Sequence, residues 1–297
     1  MLHPKNTLFD IPVINNVILY DETDSTNTRA REFGNRGCVD GTLIIADKQN
    51  AGKGRMGRNF SSPADTGIYM SLLLKPEIDI THVSSITLLA AMAVAKALES
   101  IDGIKPHIKW PNDIVINGKK VVGILTEMSS DTIQIPKTYG LADLPYATAS
   151  TYANSVKYVI IGIGINVNNE SFPKEIANTA SSLYQACGRK LDREDIIHNV
   201  WLFFNDYYQD FLSHKDLRFL IEDYNSFLAS YNREVYIIPH DRTTGQSNPY
   251  QVDTTGLTPS LCMGIDSQGA LICRHENGEL EHVNAGEVSI RGLHAYI

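Results

Sequence analysis

Apolar positions along the chain fall mostly into short runs at period two, with two longer stretches at helical spacing. Val17–Tyr20, Leu43–Ala46 and Ile68–Leu74 each predict a strand, the last stopped by Pro76. Between the first two, the polar run Asp21–Asn27 offers N-caps for a short helix through Arg29–Phe33, ended by Gly34. Ser84 or Ser85 is expected to cap a helix running to about Ile101. Ile86, Leu89, Ala90, Ala93, Ala97 and Ile101 mark its apolar face, and its small residues predict close packing on a sheet. Short strands follow at Ile108–Trp110, Asp113–Ile116 and Val121–Thr126, the last two joined by a hairpin turn at Asn117-Gly118.

Ser129–Ser155 breaks this rhythm and reads as an extended connection or a mobile insertion. Lys157–Val167 restores a strong strand. From Ala180 to Tyr231 the pattern is helical: Asp192 is a cap, Glu194 and Asp195 suit the first turn, and Ile196, Ile197, Val200, Trp201, Phe203, Phe204, Tyr207 and Phe211 form a broad apolar face. After Tyr231 the segments shorten to Val235–Ile238, Gly264–Cys273 and Leu280–Val288, with turns at Asp266–Gly269 and Asn277-Gly278. The expected fold is α+β: a mixed sheet with helices packed on it over residues 1–230, then a small β-barrel domain over 231–297.

Composition narrows the function classes. With 43% hydrophobic residues in 297, the chain can bury a sizeable core, which excludes disorder as the main state. The longest apolar windows, Ile86–Leu98 and Val159–Val167, fall short of the roughly 20 residues a bilayer demands. The first residues lack a signal-peptide layout. The four cysteines are far apart without a C-x-x-C pair, as expected of reduced thiols in the cytoplasm. Nine scattered histidines show no ligand spacing, so no metal site is expected. A net charge of −8 leaves no whole-protein basic footprint for nucleic acid, so any bound anion must be held by a local cluster.

Four segments carry candidate chemistry. In Gln49–Arg58, Gly52, Gly54 and Gly57 alternate with Lys53, Arg55 and Arg58. Glycines let the backbone approach a ligand and expose N–H groups, while the guanidinium adds planar donors for phosphate or carboxylate; the alternative is a solvated basic turn. It matches neither a Walker A loop nor a dinucleotide fingerprint. In the second segment, Lys109-Trp110-Pro111-Asn112-Asp113 and the run from Lys120 through Gly123 to Glu127 flank one turn. That brings Asp113 and Lys120 into one neighbourhood, either as a reactive ion pair or as an exposed hairpin salt bridge. The third, Gly162-Ile-Gly164-Ile-Asn166, is a strand whose glycines admit a ligand or a close-packed helix. The fourth is Ser25-Thr26-Asn27, a helix cap or a grip on a neutral polar head. No nucleophile–base constellation can be assembled from spacing, so covalent catalysis is disfavoured.

Taken together and in this order, the segments resemble biotin protein ligases. A C-terminal stretch with Gly264-Ile-Asp-Ser-Gln-Gly-Ala-Leu and Gly286-Glu-Val-Ser adds to the likeness. The resemblance implies a class II synthetase-like catalytic domain with an SH3-like C-terminal barrel. It also implies a two-step reaction: the biotin carboxylate attacks the α-phosphorus of ATP, with Mg²⁺, and a lysine of a biotin carboxyl carrier protein domain then displaces AMP. By motif, Ser25, Thr26, Asn27 and Gln49 hold the biotin head, and Gly52 to Arg58 order over the adenylate with Arg55 as the main anion contact. Lys120 bridges the carboxylate and the α-phosphate, Asp113 assists with metal or acceptor lysine, and Asn166 contacts adenine. Trp110, Gly123, Gly162 and Gly164 complete the implied binding set.

Two departures stand out. The first arginine of the family loop is Lys53 here, which keeps the charge and loses the bidentate fork; Phe60 stands where tryptophan is frequent. Some relatives begin with a helix-turn-helix repressor module. Only about 16 residues precede the first predicted strand, which implies a ligase without a repressor function or nucleic-acid partner. The resemblance implies either a homodimer formed by sheet extension or a monomer. The competing readings are a lipoate ligase with the same adenylate logic and a non-catalytic biotin-binding regulator.

Overall fold

The computed structural model describes residues 6–131, 155–239, 254–284 and 288–292. The part of the expected insertion between 132 and 154, and Gly286-Glu287 of the C-terminal motif, lie outside the described residues.

A seven-stranded mixed sheet forms the larger layer. It comprises β1 (Asn16–Thr23), β2 (Thr42–Gln49), β3 (Gly67–Leu74), β4 (His107–Lys109), β5 (Asp113–Ile116), β6 (Lys119–Asp131) and β7 (Ser155–Asn166), in the order β1-β2-β3-β7-β6-β5-β4. Only β1 and β2 run parallel, joined by α1 (Thr26–Asn35) as the crossover; all other pairs are antiparallel. The alternation along each strand divides two cores. Leu43, Ile45, Leu72, Leu74, Ile161 and Ile163 join the main core with α2 (Val83–Glu99) and α4 (Arg193–His214). Ile44, Leu73 and Ile160 point the other way and pack with Ala30 and Tyr158 beneath α1.

The helical stretch Ile80–Glu99, which contains α2, is long and apolar enough to cross a bilayer on composition alone, yet most of the side chains of α2 are buried between the sheet and α4. Its start differs from expectation. Asp79 caps a preceding turn of 3₁₀ helix by accepting from the Thr81 N–H at 2.9 Å, and α2 begins at Val83, leaving Ser84 and Ser85 inside the helix. α1 likewise runs past Gly34, because that glycine lies against the Tyr158 ring and Leu73. The stop comes at Gly37 with φ +80°, a backbone conformation glycine adopts without strain. Asp192 caps α4 as the sequence indicates, accepting from the Glu194 N–H at 2.8 Å. α3 (Leu183–Cys187) and α5 (Ile221–Phe227) complete the helices of the described residues.

The C-terminal strands β8 (Glu234–Pro239), β9 (Ser260–Ile265), β10 (Leu271–Arg274), β11 (Leu280–Val283) and β12 (Val288–Gly292) form an antiparallel sheet in the order β11-β10-β9-β8-β12. The single segment Gly264–Cys273 of the sequence reading is thus two strands, folded back at the Asp266–Gly269 turn. That turn docks on the larger layer. The Leu217 N–H donates to Ser267 O at 2.8 Å, the Trp110 indole N–H donates to Gly269 O at 3.1 Å, and a Cβ on Gly269 would meet Leu88 at 2.8 Å. Trp110→Phe keeps an aromatic ring, but it trims buried volume and orphans a buried carbonyl, so we expect a stability loss of about 1–3 kcal/mol in urea titration.

Candidate active site

The sheet register builds the floor of a cleft on the α1 face. Gly123 of β6 pairs with Gly164 of β7, and Leu125 with Gly162; on the other side Gly162 faces Ser71 and Gly164 faces Tyr69 of β3. Where Ile160 and Leu73 fill this face beneath α1, Gly123, Gly162 and Gly164 leave space, and neighbouring side chains enter it. A Cβ on Gly162 would lie 2.0 Å from Asn27 Oδ1, and one on Gly164 would lie 2.6 Å from the Phe60 ring. The glycines of β7 admit both a helix residue and a loop aromatic.

One end of the cleft is neutral and polar. Ser25, extended at the N-cap of α1, donates its N–H to Asp24 Oδ1 at 2.6 Å, and its own hydroxyl makes no capping bond. The Arg29 guanidinium holds the Asp24 carboxyl down at about 2, with the Ser25 N–H and Thr23 hydroxyl assisting against burial. Thr26 donates its N–H to Gln49 Oε1 at 2.8 Å. Gln49 in turn donates through Nε2 to Ser62 Oγ at 2.9 Å, pinning the base of the Gly/Arg loop.

The other end is cationic. The loop closes through a Lys53–Asn59 bridge, a Gly54 N–H to Arg58 O bond at 2.7 Å and a Phe60 N–H to Gly52 O bond at 2.8 Å. Arg55 Nη1 reaches across to Asn112 Oδ1 at 2.8 Å, and Asn112 Nδ2 donates to Ile124 O at 2.9 Å, so its amide orientation is set. Lys120 Nζ sits 2.7 Å from Asp113 Oδ1, as the hairpin spacing suggested, with Asn117 and Gly118 both at positive φ in the turn. A bulge between Ile114 and Val115 shifts the register here. The Lys120 backbone is held on its far side by Thr179 O at 2.7 Å and the Ser181 N–H at 2.9 Å.

Fifteen of the sixteen sequence-derived site residues line this cleft: Ser25, Thr26, Asn27, Gln49, Lys53, Gly54, Arg55, Arg58, Trp110, Asp113, Lys120, Gly123, Gly162, Gly164 and Asn166. Gly52 does not. It is buried at the loop's neck, where a Cβ would strike Phe60 O at 2.5 Å, so its role is to let the loop close. Asn166 lines the cleft while donating Nδ2 to Ser181 O at 3.1 Å. Sequence reasoning passed over Lys109, Asn112, Phe60, Leu125, Phe172, Ile176 and Ala180 as site residues. The first two stood inside a quoted motif. Phe172, Ile176 and Ala180 belong to an irregular segment with no periodic signal, and only its docking beside Lys120 brings them in.

Among the lining residues five cations, Lys53, Arg55, Arg58, Lys109 and Lys120, face one carboxylate, Asp113. Burial lowers the Arg55 guanidinium from its ordinary value and Arg58 adds to the shift, while Asp113 opposes it. An excess of positive charge, running from exposed Lys53 and Arg58 to buried Lys109 in an acidic chain, is a ready site for a polyanion.

The fold and this site define a class: a mixed-sheet domain with a small C-terminal β-domain, whose cleft sets a neutral polar end beside a cationic one. The biotin/lipoate A/B protein ligase family matches residues 19–137, and the biotin protein ligase C terminal domain matches residues 263–291. The bifunctional ligase/repressor BirA of Bacillus subtilis is 42% identical over 266 residues, covering 88% of this chain and 70% of its own. The Escherichia coli protein of that name is 26% identical over 255 residues, 84% of this chain and 67% of its own. The solved biotin protein ligase from Aquifex aeolicus in complex with biotin and ATP superposes with a TM-score of 0.71 at 27% identity, over 94% of this chain and all of that one. The chain belongs to the biotin protein ligase family.

Proposed function

We propose that this chain joins biotin to ATP as biotinyl-AMP and passes the biotinyl group to a lysine of a biotin carboxyl carrier protein domain. The observation that carries this is the pairing, in one glycine-floored cleft, of a neutral polar end at Ser25, Thr26, Asn27 and Gln49 with a five-cation end at the Gly/Arg loop and Lys120. A carboxylate oxygen attacks the α-phosphorus and the bond to pyrophosphate breaks; the acceptor amine then attacks the acyl carbon and AMP leaves. Neither step requires an enzyme nucleophile. The chain's own groups contribute position and charge.

Lys120 faces both reacting anions and lowers their mutual repulsion. Arg55, anchored on Asn112, holds the phosphate side, with Lys53 and Arg58 closing the loop over it. Asp113 orients Lys120 and is placed to take the proton that the acceptor lysine loses. Asn166, Phe172, Ile176 and Ala180 bound the adenine side. Mg²⁺ enters as part of the nucleotide substrate. Biotin is favoured over lipoate because the neutral end is lined with hydrogen-bonding groups, and turnover over mere binding because Lys120 and Arg55 are both in place.

The reading places the enzyme in the cytoplasm, in keeping with free cysteines at 38, 187, 262 and 273. It assigns no nucleic-acid partner, in keeping with the net charge of −8. It assigns a homodimer formed at the β1 edge, where Leu19 is exposed on a strand whose hydrogen-bonded neighbour is β2. Intact-mass analysis of a carrier domain incubated with the protein, Mg²⁺-ATP and biotin should show the addition of one biotinyl group. The gain should vanish without ATP or with lipoate in place of biotin; no gain with biotin would overturn the reading.

A further inference from the structure

Behind the neutral end, three side chains that do not line the cleft form a hydrogen-bonded file with two that do. Ser71 Oγ, fully buried on β3, lies 2.6 Å from Asn27 Oδ1 and 2.7 Å from Thr26 Oγ1. Asn27 Nδ2 donates to Glu127 Oε2 at 2.9 Å and to Leu125 O at 3.3 Å, and Glu127 is paired through its other oxygen with Arg31.

The protons available give this file its direction. A carboxylate and a carbonyl can only accept, so the Asn27 amide cannot flip, and Oδ1 must face Ser71. At 2.6 Å that oxygen requires a donor, which is the Ser71 hydroxyl. With its only proton spent, Ser71 must accept from the Thr26 hydroxyl at 2.7 Å; otherwise two lone pairs would meet there. Gln49 Nε2 is committed to Ser62, and Gln49 Oε1 accepts the Thr26 N–H; that oxygen also stands 3.1 Å from Thr26 Oγ1, a second acceptor for the hydroxyl proton but at a longer contact than the 2.7 Å to Ser71. Thr26 Oγ1 therefore has no proton left for the cleft and offers it lone pairs only.

We propose that Glu127, held by Arg31, is a positioning residue that sets the polarity of the head-group end through Asn27, Ser71 and Thr26, and so selects a ligand carrying an N–H donor at that end. This rests on the ligase reading and deepens it. A ureido N–H satisfies Thr26, whereas a dithiolane ring has no donor and leaves a buried acceptor unpaired. Sites built to hydrogen-bond a donor reject analogues that lack it by large factors. Gly162 is part of the device, since a Cβ there would occupy the position of Asn27 Oδ1.

The bland role for Arg31 and Glu127 is a partly exposed ion pair, worth little by itself. The exchange Arg31→Glu/Glu127→Arg separates the two roles, because it keeps an ion pair and presents Asn27 with a donor. In biotin-dependent ATP–pyrophosphate exchange, the swap should raise the KM for biotin about tenfold or more. The KM for ATP and kcat at saturating biotin should stay within about twofold of the parent. Glu127→Gln, whose amide carbonyl still accepts from Asn27, should recover most of the loss. In a Thr26→Val background the swap should add little further, because the file then has nothing to orient. A folded swap variant with the parent's biotin KM overturns the proposal and leaves the ligase reading intact; absence of biotin-dependent exchange in the parent overturns both. If the swap does not fold, Glu127→Leu is read by the same KM criterion.

Discussion

Lys120→Met is expected to slow adenylate formation by about 10²–10³-fold while leaving the fold in place. The reacting carboxylate and α-phosphate are both anionic, and the step brings them within bonding distance. Lys120 Nζ is fixed 2.7 Å from the Asp113 carboxylate, and its backbone is hydrogen-bonded to the 179–181 segment. Those bonds do not depend on the side chain, and Met matches the length and apolar stem of Lys. Loss of the charge should therefore appear in kcat for ATP–pyrophosphate exchange, with the melting temperature changed by only a few degrees. Turnover near the parent's would remove Lys120 from the catalytic set and move charge neutralisation to the other cations of the cleft, Arg55 on Asn112 first among them.

The second large effect is expected at Gly162→Ala. Its Cβ would lie 2.0 Å from Asn27 Oδ1, 2.8 Å from Cγ and 3.0 Å from Nδ2, so the whole amide must leave its place. Asn27 is locked between Ser71, Leu125 and Glu127, and has no slack to absorb a methyl group. Overpacking of this kind costs about 1–3 kcal/mol, and breaking the Asn27 bonds adds to it. Urea titration should show that loss, and biotin titration a fall in affinity of tenfold or more. Gly164→Ala provides the contrast. Its Cβ would meet the Phe60 ring, which sits on the Gly/Arg loop and can swing away, so stability should suffer less while loop closure over the adenylate is impaired. Equal losses of stability in the two variants would mean that the loop is as rigid as the sheet.

Much of this molecule was readable in one dimension. Period-two runs located the sheet strands because a strand buried on one or both faces must carry apolar residues at those positions. The Asn117-Gly118 turn fixed which strands met and so placed Asp113 by Lys120. Gly162 and Gly164 announced a crowded strand face, though not that Asn27 and Phe60 would be what crowds it. Local signals misled where tertiary packing outweighed them. Gly34 reads as a helix stop but stays helical under the Tyr158 ring, and Ser84 and Ser85 read as caps but lie inside a helix whose entry is set by Asp79. The segment carrying Phe172, Ile176 and Ala180 has no period to detect.

By itself, the sequence determined the order of elements, the basic loop, the paired charges and the polar head-group motif, since spacing along a chain dictates what neighbouring residues can share. Which groups act together across the sheet was decided only by tertiary structure. Thr26, Asn27, Ser71, Glu127 and Arg31 are spread over about a hundred positions, and hydrogen-bond direction among them exists only once β3, β6 and α1 are in register. The reason is physical: a proton can be assigned to one oxygen or another only when its partners are within about 3 Å, and that distance is a property of the folded chain.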